Sequence, residues 1–156
     1  MRIAVFPGSF DPITKGHEDI VRRALPLFDR VIVAFGVNST KNYFFPLEKR
    51  LEFARQTFAD VADKVKIDTY EGLTAQYCRQ QGAQFMLRGV RNSTDFDYES
   101  TIAHLNKMIG DGIETVILIT SPQYAHYSST VVREILRGGE SPDAFLPAAV
   151  VAAMKL

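Results

Sequence analysis

The chain has a single cysteine and no excess of charge of either sign among its 156 residues. Cys78 alone can close no intramolecular disulfide and seed no cysteine metal cluster, and its Tyr-Cys-Arg setting reads as a small helix residue rather than a nucleophile. Lysine plus arginine equals aspartate plus glutamate, at 18 each. That balance argues against the broad basic field that holds nucleic acid by its backbone. No run approaches the ~20 apolar residues of a membrane span, and the N-terminus lacks the apolar stretch and small-residue cleavage site of a signal peptide. A cytoplasmic protein with neither a membrane nor a nucleic-acid partner is expected. Two common phosphate motifs are missing as well. Neither G-x-x-x-x-G-K-[ST] nor G-x-G-x-x-G occurs in the chain, so any nucleotide site belongs to another class.

What is there is organised around Gly8–His17, GSFDPITKGH, directly after the apolar run Ile3-Ala4-Val5-Phe6. A buried strand that ends in Pro-Gly-Ser, turns through Asp11-Pro12 and enters a helix at Gly16-His17 aims backbone N–H groups, a hydroxyl and an imidazole at one point. This reads as a phosphate site, with Asp11 bonding its own backbone in the turn.

With 46% hydrophobic residues, the length suits one domain over 1–156, its residues 140–156 forming a C-terminal helical tail. Val31–Val37 is apolar without alternation, as in a strand covered on both faces. Val65–Tyr70, Gln84–Leu87 and Glu114–Thr120 read as further strands. Helical spacing marks His17–Phe28, a segment from Pro46 to Phe58, Leu73–Gln81, a helix from near Asp95 capped by Ser93-Thr94, one from Ser128, and Ala148–Leu156. On the helix after Asp95, Tyr98, Ile102, Leu105 and Ile109 form one apolar stripe. The alternation predicts an α/β fold: a doubly wound, Rossmann-like, five-stranded parallel sheet with helices on both faces. In such sheets ligands bind beyond the carboxyl ends of the strands. Gly8–His17, Asn38–Pro46, Arg88–Thr94 and Ser121–Thr130 all fall there.

A nucleoside triphosphate laid across this edge meets the helix starts at His17 and Ser128, which supply oriented donors and partial positive charge. His17 can donate to an α-phosphate oxygen as charge builds there, and Ser129 and Thr130 can serve the outer phosphates. Arg88, Arg91 and Lys41 add guanidinium forks and a point charge. No nucleophile has an obvious base. The economical reaction is then in-line attack by the second substrate's own phosphate on the α-phosphorus, expelling pyrophosphate. Mg²⁺ is expected to travel with the triphosphate, without a dedicated protein cage and hence with no protein ligand assigned. His104 reads as surface or packing.

Two strings together, Thr14-x-Gly16-His17 closing the first loop and Ser128-Ser129-Thr130-Val131-Val132-Arg133, resemble the paired signatures of the T/H-x-G-H nucleotidyltransferase superfamily. Within it, the Lys41 loop followed by Pro46-Leu47-Glu48-Lys49-Arg50, the segment Leu87-Arg88-Gly89-Val90-Arg91 with Asp95-Phe96-Asp97-Tyr98-Glu99, and Phe145-Leu146-Pro147 resemble the bacterial phosphopantetheine adenylyltransferases. The resemblance implies adenylyl transfer from ATP to 4′-phosphopantetheine, giving dephospho-coenzyme A and pyrophosphate. It implies catalytic roles for His17, Ser9, Arg91 and Ser129, with His17 the main transition-state stabiliser. ATP contacts are implied for Ser9, Phe10, His17, Gly89, Val90, Arg91, Glu99 and the stretch Tyr124, Ala125, His126, Tyr127, Ser128, Ser129, Thr130. Ser9, Lys41, Thr74 and Arg88 are implied for phosphopantetheine. A homohexamer and inhibition by coenzyme A follow from the resemblance alone. Ser9 in place of the family's usual Thr keeps the hydroxyl, Thr74 replaces a bulkier apolar residue, and Tyr124 replaces a common Trp. Cytidylyl transfer, adenylyl transfer to nicotinamide mononucleotide, and a silent ATP or coenzyme A sensor are the competing readings.

Overall fold

The computed structural model describes residues 1–155, so the last residue of the expected Ala148–Leu156 helix lies outside the described residues. Five strands form one parallel sheet: β1 (Ile3–Gly8), β2 (Arg30–Gly36), β3 (Val65–Tyr70), β4 (Phe85–Val90) and β5 (Glu114–Ile119), in the order β3-β2-β1-β4-β5. The helices are α1 (Lys15–Ala24), α2 (Leu47–Thr57), α3 (Thr74–Gln80), α4 (Ser93–Ile109), α5 (Ser129–Arg137) and α6 (Ala148–Met154). The doubly wound α/β expectation holds, with the order reversing at β1.

Strand alternation sorts the core into two layers. Ala4, Phe6, Val31, Val33 and Phe35 face α1, α2, α5 and α6 through Ile20, Val21, Phe53, Val132 and Val150. On the other face Val5, Ile32, Ala34 and Met86 meet Ala75, Tyr77 and Cys78 of α3. Burial pushes the Cys78 thiol up to about 11, where it is inert at neutral pH. Leu146, Val150 and Ala153 pack into the main core, so the segment from 140 onward is held by the same hydrophobic contacts as the sheet.

Two boundaries differ from the sequence reading by three residues or more. α1 stops at Ala24 rather than Phe28, after which the chain turns and Leu27 is left exposed. β4 runs on to Val90, so Arg88 and Gly89 are strand residues.

Pairing is uneven. β1–β2, β2–β3 and β4–β5 each keep register to their carboxyl ends, whereas β1 and β4 pair only through Ala4↔Phe85 and Val5↔Met86. Beyond those rungs the two strands part, and the sheet opens where its order reverses.

Candidate active site at the parting strands

The split between β1 and β4 is floored by Gly8 and Gly89 and opens into a cleft of about 600 Å³. Its walls are the β1–α1 loop, the start of α1, the start of α4 and the Tyr124–Ser129 segment. Gly8 cannot carry a side chain, because a Cβ there would come within 2.9 Å of the Phe10 ring. Phe10 itself sits at φ 43°, a left-handed backbone that costs a non-glycine residue on the order of 1–3 kcal/mol. Its ring is buried among Phe6, Phe35 and His17, which holds the turn.

His17 is the third residue of α1, and Thr14 caps that helix. The Thr14 hydroxyl accepts from the His17 amide at 3.3 Å, while the Thr14 amide donates to His17 Nδ1 at 3.0 Å. An imidazole nitrogen that accepts from an amide carries no proton, so the proton is on Nε2. Burial, then the positive charge of Arg88 and of Arg91, lowers the His17 pKa from 6.5 to about 4. Half-buried against the Phe10 ring at 5.0 Å, His17 is a fixed, neutral donor.

Arg88 reaches across the split. Its Nη1 donates to the Pro7 carbonyl at 2.6 Å, and its Nε and Nη2 form a fork on the buried Glu99 carboxylate at 2.9 and 2.8 Å. Glu99, assigned above to ATP, is thus the partner of Arg88. Arg91 pairs likewise with Asp95, whose Oδ2 accepts from the Arg91 amide at 3.0 Å and from Nε at 3.1 Å. Each arginine therefore reaches the cleft oriented by a carboxylate.

α5 arrives with Ser128 as its cap, the hydroxyl accepting from the Val131 amide at 3.2 Å. The Ser129 hydroxyl donates to the Pro12 carbonyl at 2.8 Å, tying α5 to the β1–α1 loop. Tyr124 and Tyr127 lie 5.3 Å apart and form one wall.

Of the residues assigned to ATP, Ser9, Phe10, His17, Gly89, Arg91, Glu99, Tyr124, Tyr127, Ser128 and Ser129 line this cleft. Val90, Ala125, His126 and Thr130 do not: Val90 is buried, His126 and Thr130 are exposed, and the Thr130 hydroxyl accepts from Arg133. Two smaller cavities adjoin. One of about 220 Å³ between α3, α4 and β4 is lined by Thr74, Arg88, Tyr70 and Asn106, with the Thr74 hydroxyl 2.8 Å from that of Tyr70. The other, about 450 Å³, joins Ser9 to Lys41, Tyr43 and Tyr70. The four residues assigned to phosphopantetheine thus border these two cavities.

Asp11 overturns the turn reading: its carboxylate accepts from the amides of Phe44 and Phe45 at 2.7 and 2.9 Å rather than from its own turn. The cap of α4 is likewise Asn92, whose side chain accepts from the Asp95 amide, rather than Ser93-Thr94. Sequence reasoning gave Thr14, Thr120 and Tyr98 no task, yet all three line the cleft. For Thr14 a signal existed, since Thr followed three residues later by a polar side chain is a capping pattern.

Three comparisons bear on this site. The family model described as cytidylyltransferase-like matches residues 5–135. The phosphopantetheine adenylyltransferase of Flavobacterium johnsoniae is 50% identical over 150 residues, 96% of this chain and 97% of its own, and that of Cytophaga hutchinsonii 48% over 146 residues, 94% and 97%. In fold, the chain matches a bifunctional NMN adenylyltransferase/ADP ribose pyrophosphatase from Francisella tularensis with a TM-score of 0.74 at 17% identity. That match covers 95% of this chain but 45% of the larger protein, and carries the fold alone.

Proposed function

The chain belongs to the phosphopantetheine adenylyltransferases of the cytidylyltransferase-like family, and on that premise we propose which of its residues carry the reaction. The enzyme transfers the adenylyl group of ATP to 4′-phosphopantetheine, a step of coenzyme A biosynthesis. An oxygen of the acceptor's phosphate attacks the α-phosphorus. The bond from that phosphorus to the β-bridging oxygen breaks, and pyrophosphate leaves with the electron pair. No proton need move between protein and substrate, which suits a cleft without a nucleophile–base pair.

The observation that carries this reading is the neutral His17, held with Nε2–H free. A donor fixed beforehand needs no reorganisation as negative charge grows on the α-phosphoryl oxygens, and that is the largest service a site of this kind renders. Ser9, Arg91 and the α5 start at Ser128-Ser129 extend the donor array along the outer phosphates, with Tyr124 and Tyr127 beside the base. Val90, Ala125, His126 and Thr130 retain their proposed ATP roles at most through backbone groups or a moved loop. On the acceptor side, Lys41, Ser9 and Arg88 take the phosphate and Thr74 borders the arm.

Asp95 and Glu99, the carboxylates lining the cleft, are engaged by Arg91 and Arg88. Among the described residues no group of three or more His, Cys, Asp or Glu is placed to hold an ion. Mg²⁺, held chiefly by the triphosphate oxygens, would supply charge neutralisation to the phosphates. Coenzyme A, which contains the whole product, competes for the same cavities as an inhibitor. Self-association, which the homohexamer of the family requires, is supported by the apolar residues that α4 leaves exposed, Leu105, Met108 and Ile109. No helix among the described residues is long and apolar enough to cross a membrane, and a cytoplasmic location belongs to the same proposal.

The test incubates the purified protein with Mg²⁺, ATP and 4′-phosphopantetheine, and in parallel with CTP, or with nicotinamide mononucleotide as acceptor, following pyrophosphate and product mass. Dephospho-coenzyme A from the first mixture alone is the expected result. Pyrophosphate from another pair alone would overturn the substrate, and tight ATP binding with no turnover would favour a sensor.

A further inference from the structure

Pro46–Arg50 has no task in the reaction described so far, yet it supplies one of the most deeply buried charges of the chain. Arg50 is 3% exposed. Its Nε donates to the Phe45 carbonyl at 3.0 Å, its Nη1 donates to the Ser9 carbonyl at 2.8 Å, and its guanidinium lies 3.9 Å from the centroid of the Tyr43 ring. Tyr43 and Phe45 belong to the loop that carries Lys41, and Ser9 to the loop after β1. One side chain thus joins the two loops that border the cavity between Ser9 and Lys41.

Asp11 makes the reverse connection. It is 4% exposed, sits in the first loop, and accepts from the Phe44 and Phe45 amides of the second. The guanidinium, at the start of α2, spends its donors on one carbonyl of each loop, and the carboxylate of the first loop accepts from two amides of the second. Burying a charge is costly unless such bonds satisfy it, and apolar side chains would join two loops with less penalty. What directional bonds supply, and apolar packing does not, is a fixed register between the loops. Lys41 shares in it, its Nζ lying 5.4 Å from the Tyr43 ring that Arg50 covers.

We propose that Arg50 is a positioning residue for the transfer reaction: with Asp11 it locks the Lys41 loop to Ser9, so that ammonium and hydroxyl converge on the acceptor's phosphate. This rests on the phosphopantetheine reading above. Arg50 touches no substrate in this arrangement and acts through the two loops.

The test is a double-mutant cycle between Arg50→Lys and Lys41→Ala. Lysine keeps the charge but cannot bridge both carbonyls while stacking on the ring. Arg50→Lys is expected to lower kcat/KM for phosphopantetheine at least about tenfold. Combined with Lys41→Ala it should lose less than the product of the single losses, since a displaced Lys41 has little left to give. Multiplicative losses, or an unchanged kcat/KM in Arg50→Lys, overturn the proposal. Should Arg50→Lys fail to fold, Asp11→Asn tests the clamp from the other loop, with the same non-multiplicative pattern expected. Hydrogen exchange supplies a readout independent of substrate: the Phe44 and Phe45 amides should exchange faster in either variant, and unaltered exchange counts against the clamp. A wild-type protein that makes no dephospho-coenzyme A would remove the substrate reading, while exchange at Phe44 and Phe45 would still decide whether the loops are locked.

Discussion

The two helices that flank the cleft, α1 and α4, are built in opposite ways. α1 is ten residues long, closed at its N-terminus by the reciprocal Thr14–His17 bonds, and buries Ile20, Val21 and Ala24 in the main core. α4 is seventeen residues long, yet the residue it buries is the charged Glu99, while Phe96, Tyr98, Leu105, Met108 and Ile109 remain exposed. The first helix is complete within one chain. The second presents an apolar surface that nothing among the described residues covers, and from it hangs the carboxylate that aims Arg88. In the proposed reaction the donor His17 lies on the core-packed side of the cleft, and the carboxylate that orients Arg88 on the side whose apolar surface is exposed.

The sharpest break in this contrast is His17→Ala. Removing one fixed donor should lower kcat by at least about a hundredfold, while losing the bond from the Thr14 amide lowers stability by about 1–2 kcal/mol with the fold retained, and wild-type turnover from the variant would refute the role given to His17. On the α4 side, Leu105→Glu with Met108→Glu should abolish assembly while the monomer keeps its circular dichroism, because neither residue is in a core. Light scattering decides this, and an intact oligomer would place the interface elsewhere. Arg88→Lys keeps a charge but loses the fork on Glu99, so kcat/KM should fall roughly ten- to a hundredfold. Equal activity in steady-state kinetics would show that the fork has no bearing on turnover.

The smallest effect is in pH. His17 has a folded-state pKa of about 4 against an ordinary 6.5, so above pH 6.5 both folded and unfolded chains hold it neutral. As pH falls below that, the unfolded chain takes up the proton first, and stability is lost progressively down to about pH 4. The slope from this one group is at most about 1.4 kcal/mol per pH unit, and it should vanish in His17→Gln. Nitrogen NMR should show Nε2 protonated and Nδ1 bare down to about pH 5. An imidazolium at pH 6 would contradict the capping geometry.

Local pattern was enough for the sheet, because β1, β2 and β5 are unbroken apolar runs and each helix carries its own period. Strand order was not legible, since nothing in a single strand names its neighbour. The convergence of Gly8–His17 with Ser128-Ser129 was legible, because βαβ winding sends both loops to the same edge. The Tyr98–Ile109 stripe was legible but its exposure was not: periodicity marks a face to be covered and does not say by what. Asp11 was misread because a turn aspartate commonly bonds its own backbone, whereas here its amide partners lie thirty-three and thirty-four residues away. His17's tautomer depends on a 3.0 Å bond, which composition and spacing do not encode.

The early parting of β1 and β4 gives any occupant of the cleft a second office. Two rungs join those strands, through Ala4 and Val5, and beyond them the Arg88 side chain crosses to the Pro7 carbonyl. A ligand held by Gly8 and Gly89 together would serve as the missing rung of the ladder, mortar between two halves of one sheet. Its grip should register as slower amide exchange at Gly8, Gly89 and Val90, residues at strand ends that do not pair with each other.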